Sequence, residues 1–151
     1  MADVLICSDA EWVHDEVRSV LSATGDKSRS VYEGAAVRPA VAKQAPDLVV
    51  LDFQVGSMGG MATCLDLRLE EAAGRLPRVP VLMLLDRRAD VFLARRSEAE
   101  GWVVKPLDPI RMRKAITALL AGGIFHDASF RPVPVVVGEG GAAPGDTART
   151  R

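Results

Sequence analysis

Short apolar runs punctuate the chain at Val4-Leu5-Ile6-Cys7, Leu48-Val49-Val50-Leu51, Val79 to Leu85 and Trp102-Val103-Val104. An unbroken apolar run bounded by turn residues predicts a strand buried on both faces, as in a parallel sheet covered by helices. Ser30-Val31-Tyr32 predicts one further, weaker strand. Between the runs, apolar residues recur at helical spacing. Trp12, Val13, Val17, Val20 and Leu21 predict a first helix, with Asp9 placed to cap it and Thr24-Gly25-Asp26 closing it. Ala35 to Gln44 predicts a short second helix interrupted by Pro39. The third runs from about Met61 to Ala73, with Met61, Cys64, Leu65 and Leu69 on one side, and stops at Gly74 and Pro77. A fourth is expected over Arg87 to Glu98 with Asp86 as its cap, and a fifth over Ile110 to Leu120, opened by Asp108 and Pro109.

Strand and helix therefore alternate about five times. Helix-length connections between buried strands require right-handed parallel crossovers, hence an α/β fold with a doubly wound, five-stranded parallel sheet and helices on both faces. From Gly122 onward the pattern fails. Residues 1–121 are expected to form one domain and residues 122–151 a flexible, disordered C-terminal tail, rich in Gly, Ala and polar residues from Gly138. The apolar piece Val133 to Val137, interrupted by Pro134, reads as part of that tail, with an edge strand or a partner contact as the alternatives.

Composition narrows the class. A hydrophobic fraction of 48% and a charged fraction of 26% are ordinary for a globular protein. The net charge of -1, from 19 basic and 20 acidic residues, leaves no electrostatic footprint for nucleic acid. Arg87-Arg88 and Arg95-Arg96 read as a solvated helix face. No apolar run approaches the ~18 residues of a membrane span and no charged-then-apolar leader opens the chain, so a cytoplasmic protein without membrane contact is expected. Cys7 and Cys64, with no CxxC, read as buried small hydrophobes in a reducing compartment. His14 lies on a helix with acids beside it and reads as solvent-facing. His126 has no ligand-spaced companion, so no transition-metal site is supported. The glycine-rich loop Gly56 to Gly60 is followed by no Lys and is not a phosphate cradle of the GxxxxGKS type.

The candidate chemistry stands at the strand ends. Ligands of open α/β sheets bind beyond the carboxyl ends of the strands, and three of these ends carry Asp9, Asp52 and Lys105. Two neighbouring carboxylates raise one another's pKa unless a cation sits between them. A hard cation, Mg2+ above all, suits one or two carboxylates with waters and a phosphate. A lysine suits a phosphoryl oxygen, and a carboxylate can itself accept a phosphoryl group. Taken singly, Asp9 also reads as a helix cap, Asp52 as a turn residue and Lys105 as surface.

Over about residues 3 to 121 the chain resembles the response-regulator receiver domain of two-component signalling. The resemblance rests on Val4-Leu5-Ile6-Cys7-Ser8-Asp9, on Asp47-Leu48-Val49-Val50-Leu51-Asp52 with its Gly56-Ser57-Met58-Gly59-Gly60 loop, and on Trp102-Val103-Val104-Lys105-Pro106. It implies a flavodoxin-like strand order 2-1-3-4-5, Asp52 as phosphoacceptor, and Mg2+ held by Asp9, Asp52 and the backbone carbonyl of Gln54. It also implies that Lys105 contacts the phosphoryl group and that the Lys105-Pro106 bond is cis. Implied partners are a histidine kinase, an unidentified downstream protein and a second copy of the chain, with neither nucleic acid nor membrane touched directly. Output is expected by protein–protein contact through the last two helices and the last strand, because no output domain fits in the remaining residues.

Departures from the family pattern are informative. Ser8 replaces the first of a usual pair of acids, leaving one carboxylate fewer for the metal. Leu85 stands where the family carries a Ser or Thr that bonds the phosphoryl group, and Leu has no hydrogen to donate. The helix after it is about two residues short. Trp102 takes the position of the aromatic residue that moves with the switch, and reads as packed. The competing readings are a phosphorylation-independent pseudo-receiver, acting as a scaffold or dimerisation module, and a small flavin-binding enzyme on the same topology.

Overall fold

The computed structural model describes residues 1–127. In chain order the elements are β1 (Asp3–Cys7), α1 (Glu11–Ser22), β2 (Lys27–Val31), a 3-10 turn (Gly34–Ala36), α2 (Val37–Lys43), β3 (Leu48–Asp52), α3 (Gly60–Ala72), β4 (Val81–Leu85), a second 3-10 turn (Arg88–Asp90), α4 (Val91–Arg96), β5 (Gly101–Val104), α5 (Pro109–Leu120) and β6 (Phe125–His126). The strands form one sheet in the order β2-β1-β3-β4-β5-β6, every pairing parallel. The expected order 2-1-3-4-5 is therefore observed, with a sixth strand added at the β5 edge.

The unbroken apolar runs are explained by burial on both faces. Alternate residues Val4, Ile6, Leu48, Val50, Leu82, Leu84 and Val103 pack with Val13, Val17 and Leu21 of α1 and Met112, Ile116 and Leu119 of α5. The intervening Leu5, Cys7, Val49, Leu51, Val81, Met83, Leu85 and Val104 pack with Val37 and Val41 of α2, Cys64 and Leu67 of α3 and Ala94 of α4. Cys7 and Cys64 are free and buried, as expected.

Several local expectations are corrected. Asp9 does not cap α1: the N-cap is Ala10, which has no side-chain cap bond. Trp12 is half exposed rather than part of the core face, and His14 is fully buried rather than solvent-facing. Pro39 does not interrupt α2, because it falls in the first turn, where a missing N–H removes no intrahelical bond. In α3 the buried side is Gly60, Thr63, Cys64, Leu67 and Arg68, while Leu69 is 67% exposed. Arg68 can be interior because Glu71 and Glu100 pair with it and the carbonyls of Val79 and Glu98 accept from it. Asp86 caps no helix. α4 begins later, at Val91, behind a 3-10 turn in which Arg87 pairs with buried Asp90 at 2.9 Å. Asp108 does cap α5, accepting from the Arg111 N–H.

The expected domain end at residue 121 leaves out β6. Gly122, at φ +85°, turns the chain back, and Phe125 and His126 then pair with Gly101 and Trp102. A Cβ on Gly101 would lie 2.7 Å from the Phe125 carbonyl oxygen, so only glycine lets this strand dock so closely. Two residues carry no readable periodicity, which is why the pattern hid this strand. The expectations for residues 128–151, including Val133 to Val137, lie outside the described residues. No helix among the described residues is long and apolar enough to cross a membrane.

Candidate functional site

Asp52 is the last residue of β3 and is 2% exposed. A carboxylate is tolerated there because its oxygens are supplied with donors. Lys105 Nζ donates to Asp52 Oδ1 at 2.9 Å and the Gln54 N–H reaches the same oxygen at 3.3 Å. The Ser8 hydroxyl donates to Oδ2 at 2.7 Å. Ser8 Oγ also accepts from the Ala10 N–H at 3.0 Å, so Ser8 rather than Asp9 satisfies a backbone donor at the start of α1.

Asp9 is exposed at the crevice mouth and turns towards the loop after β3, where its Oδ2 accepts from the Gly56 N–H at 3.2 Å. The Gly56 carbonyl in turn accepts from the Gly34 N–H at 3.1 Å. Gly34 is packed so tightly that a Cβ there would come within 1.8 Å of the Met58 carbonyl oxygen. This loop is thus held at Gly56 from two sides, by Asp9 and by the turn after β2.

Lys105 follows β5. Its N–H donates to the Leu85 carbonyl at 2.7 Å, and the Lys105-Pro106 bond is cis, as the resemblance implies. Its ammonium also bonds Asp86 Oδ1 at 2.9 Å, so it bridges two carboxylates, and it lies 5.6 Å from the centre of the Trp12 ring. Burial alone would lower the pKa of this amine, but the hydrogen bonds to Asp52 and Asp86 outweigh it and hold the pKa above the ordinary lysine value. Lys105 therefore stays charged.

At the two altered positions the side chains belong to the core. Leu85 is fully buried in the apolar cluster on the α2–α4 side of the sheet, and Trp102 lies in the same cluster, 2% exposed. The Trp102 ring stacks on His126, centroids 4.0 Å apart and planes 8° from parallel, with the Arg95 guanidinium 5.6 Å away. Cys7, one residue before Ser8, has its thiol pushed up to about 12 by burial and then by the charges of Asp52 and Asp9, so it is no nucleophile.

Sequence reasoning missed two contributors. His14 Nε2 is 2.8 Å from the Ser8 carbonyl oxygen, which only accepts, so Nε2 carries the hydrogen. Its Nδ1 meets Ser30 Oγ at 3.0 Å, and Ser30 also accepts from Arg18. The spacing of His14 to Val17 and Leu21 on the buried face was the available signal, masked by Asp15 and Glu16. From the sequence Asp86 reads only as a cap, although its place directly after a buried strand matches that of Asp52.

The donor set fits a hard cation. Among the described residues no cluster of three or more His, Cys, Asp or Glu side chains converges on a metal position. Two carboxylates, Asp9 and Asp52, with backbone oxygen and water, suit Mg2+, which keeps several of its waters. They do not suit a softer metal, which would call for imidazole or thiolate.

Comparison with known proteins bears on the family and the fold. The sequence profile of the response regulator receiver domain matches residues 4–117. The chain is 29% identical over 119 residues to the DNA-binding response regulator MtrA of Mycolicibacterium smegmatis, covering 78% of this chain and 50% of that protein. It is 30% identical over 122 residues to the DNA-binding dual master transcriptional regulator RpaA of Synechocystis, covering 80% and 49%. The chain thus spans about half the length of these relatives. In fold it is similar to a LuxR-family two-component response regulator from Aurantimonas, with TM-score 0.74 at 22% identity, covering 85% of this chain and 91% of that one. It is also similar to the chemotaxis response regulator CheY4 of Vibrio cholerae, with TM-score 0.69 at 23% identity, covering 78% and 97%. Sequence and fold lead to one answer: the chain belongs to the response regulator receiver domain family of two-component signalling.

Proposed function

We propose that this receiver works in phosphorelay signal transduction in the cytoplasm, taking a phosphoryl group on Asp52 from a histidine kinase with Mg2+ and passing the signal on by protein–protein contact. The observation that carries the reading is the Lys105 ammonium 2.9 Å from the buried Asp52 carboxylate at the carboxyl end of the sheet. In the transfer, an Asp52 oxygen forms a new O–P bond as the P–N bond of the donor phosphohistidine breaks, and the imidazole leaves with the electron pair. Lys105, charged at neutral pH, neutralises the transferring group. Asp9, Asp52 and the Gln54 backbone carbonyl would hold Mg2+, which when bound supplies positive charge to the phosphoryl oxygens. With the cation bound, the Ser8 hydroxyl, which donates to Asp52 Oδ2 in its absence, would be available to hold a water of the cation. The chain's net charge of -1 gives no overall electrostatic attraction for nucleic acid.

Acetyl phosphate with Mg2+ should add one phosphoryl mass to the protein, and Asp52→Asn should abolish the addition. No addition under either donor, acetyl phosphate or kinase, would count against the reading.

A second reading draws on Leu85 and Trp102. With no hydroxyl at the end of β4 and an indole clamped under His126, the domain would act as a phosphorylation-independent scaffold or dimerisation module. It predicts partner binding, or self-association, that is indifferent to both Mg2+ and Asp52→Asn.

A further inference from the structure

The end of β5 is pinned from two sides by successive backbone donors. The Lys105 N–H points to β4 and bonds the Leu85 carbonyl at 2.7 Å. The preceding Val104 N–H points the other way, towards the outer edge of the sheet, where the β6 ladder has already ended at Trp102 and His126. Val104 is 2% exposed, so an unpaired N–H there would be costly. The carboxylate of Asp127 meets it: Oδ2 accepts from the Val104 N–H at 3.1 Å, continuing the ladder by one rung with a side chain in place of a carbonyl.

Asp127 is itself 4% exposed and is balanced by Arg111 of α5, whose Nη1 lies 3.6 Å from the same carboxylate oxygen and 3.5 Å from the Val104 carbonyl. Arg111 thus binds the carboxylate and lies beside the backbone it holds. One residue upstream, His126 stacks on Trp102 and fixes the same stretch of β5 from its side-chain face. Asp127 and His126 lie beyond residue 117, where the match to the receiver profile ends, whereas Arg111 and the β5 residues they meet lie within it.

We infer that Asp127 is a positioning residue for Lys105: by holding the Val104 N–H, with Arg111 as its counter-ion, it sets where the lysine side chain leaves the strand and keeps its ammonium on Asp52. The inference rests on the reading of Lys105 as the cation that meets the phosphoryl group. A cluster that only anchored the chain end would not change the chemistry of one particular lysine.

The lysines are Lys27, Lys43, Lys105 and Lys114, and Lys27 and Lys43 are exposed. Competitive acetylation of the full chain with trace acetic anhydride, read by mass spectrometry, reports the availability of each free amine. Lys105, its Nζ held 2.9 Å from both Asp52 Oδ1 and Asp86 Oδ1, is expected to label slowest. In Asp127→Ala its rate relative to Lys27 and Lys43 should rise by about fivefold, the weight of one hydrogen bond. Asp127→Asn keeps an oxygen that accepts from Val104, and its Lys105 should label within about twofold of the unmodified chain. Phosphoryl uptake at Asp52 from acetyl phosphate should fall in Asp127→Ala and be kept in Asp127→Asn.

An unchanged Lys105 rate in Asp127→Ala, or an Asn variant as altered as the Ala variant, overturns the inference. If Asp127→Ala labels at every lysine because it fails to fold, Arg111→Gln decides: a rise confined to Lys105 supports the inference and no rise overturns it. Should no variant, nor the unmodified chain, take up phosphate, the labelling still decides the role of Asp127 while the phosphorylation reading fails separately.

Discussion

The hydroxyl of Ser8 donates to Asp52 Oδ2 across 2.7 Å, and both residues are shut away from solvent. A neutral donor here satisfies an acceptor that a second acid would leave unpaired. Two carboxylates in so small a space repel each other unless a cation lies between them. Ser8 therefore satisfies Asp52 without adding a second charge, and would leave a cation one carboxylate ligand fewer.

Ser8→Asp should reverse that balance. Without metal the variant should be less stable by about 2 kcal/mol, since a buried hydrogen bond is replaced by like-charge repulsion. With Mg2+ it should regain stability, and its Mg2+ affinity should exceed that of the unmodified chain by on the order of tenfold. Thermal melts across a MgCl2 series read both effects. A melting temperature that rises no more steeply with Mg2+ than that of the Ser8 protein would contradict the proposed metal position.

Lys105 should tie stability to alkaline pH. Its folded-state pKa lies above the ordinary lysine value of 10.5, because the bonds to Asp52 and Asp86 outweigh burial. A group with a raised folded pKa stabilises in full below its unfolded value and loses that contribution as pH rises through the folded one. Lys105→Met should therefore cost about 3 kcal/mol at neutral pH, by stranding a buried carboxylate. The difference between variant and unmodified chain should hold steady through neutral pH and shrink above about 10.5. Urea unfolding at a series of pH values measures it, and a difference that widened at high pH would reverse the sign of the argument.

The two tryptophans should report on different things. Trp12 is half exposed with its ring 5.6 Å from Lys105 Nζ, whereas Trp102 is buried and stacked on His126. A fluorescence change on adding Mg2+ with acetyl phosphate should survive Trp102→Phe and vanish in Trp12→Phe. The opposite result would mean that Trp102 leaves its stack.

The parts of this molecule legible in the sequence are those written in long-range pattern. The buried runs at Val4–Cys7, Leu48–Leu51 and Val81–Leu85 announce central strands because both faces demand apolar residues. Where those runs stop puts Asp9, Asp52 and Lys105 at strand ends, while the strand order is what the family resemblance implies. What escaped was polar burial and short pairing. His14 and Arg68 are interior only because carbonyls and carboxylates from other segments meet them, and those partners are remote in sequence. Trp12 is apolar, but it shares the outer face of α1 with exposed Asp15, Glu16 and Ser19 and lies out over Lys105. Asp86 resembles a cap because any acid before a helical pattern does, and only the fold shows that it faces Lys105. β6 is two residues long, and its docking depends on a glycine in another strand.

Restoring a hydroxyl at the end of β4 should not restore a receiver switch. Leu85 is fully buried against Trp102, Val104 and their neighbours, so Leu85→Thr removes packed methyl groups and introduces a polar one, at a cost of about 3 kcal/mol. A moving aromatic residue needs space to move into, and Trp102 is closed in by His126 and Arg95. In a Trp12→Phe background, Leu85→Thr should lower the urea midpoint yet leave Trp102 fluorescence unresponsive to acetyl phosphate and Mg2+. Adding His126→Ala removes the stacking partner, and only that combination should let Trp102 respond. A response in Leu85→Thr alone would show that the hydroxyl was the sole missing part and that the stack on β6 gives way easily.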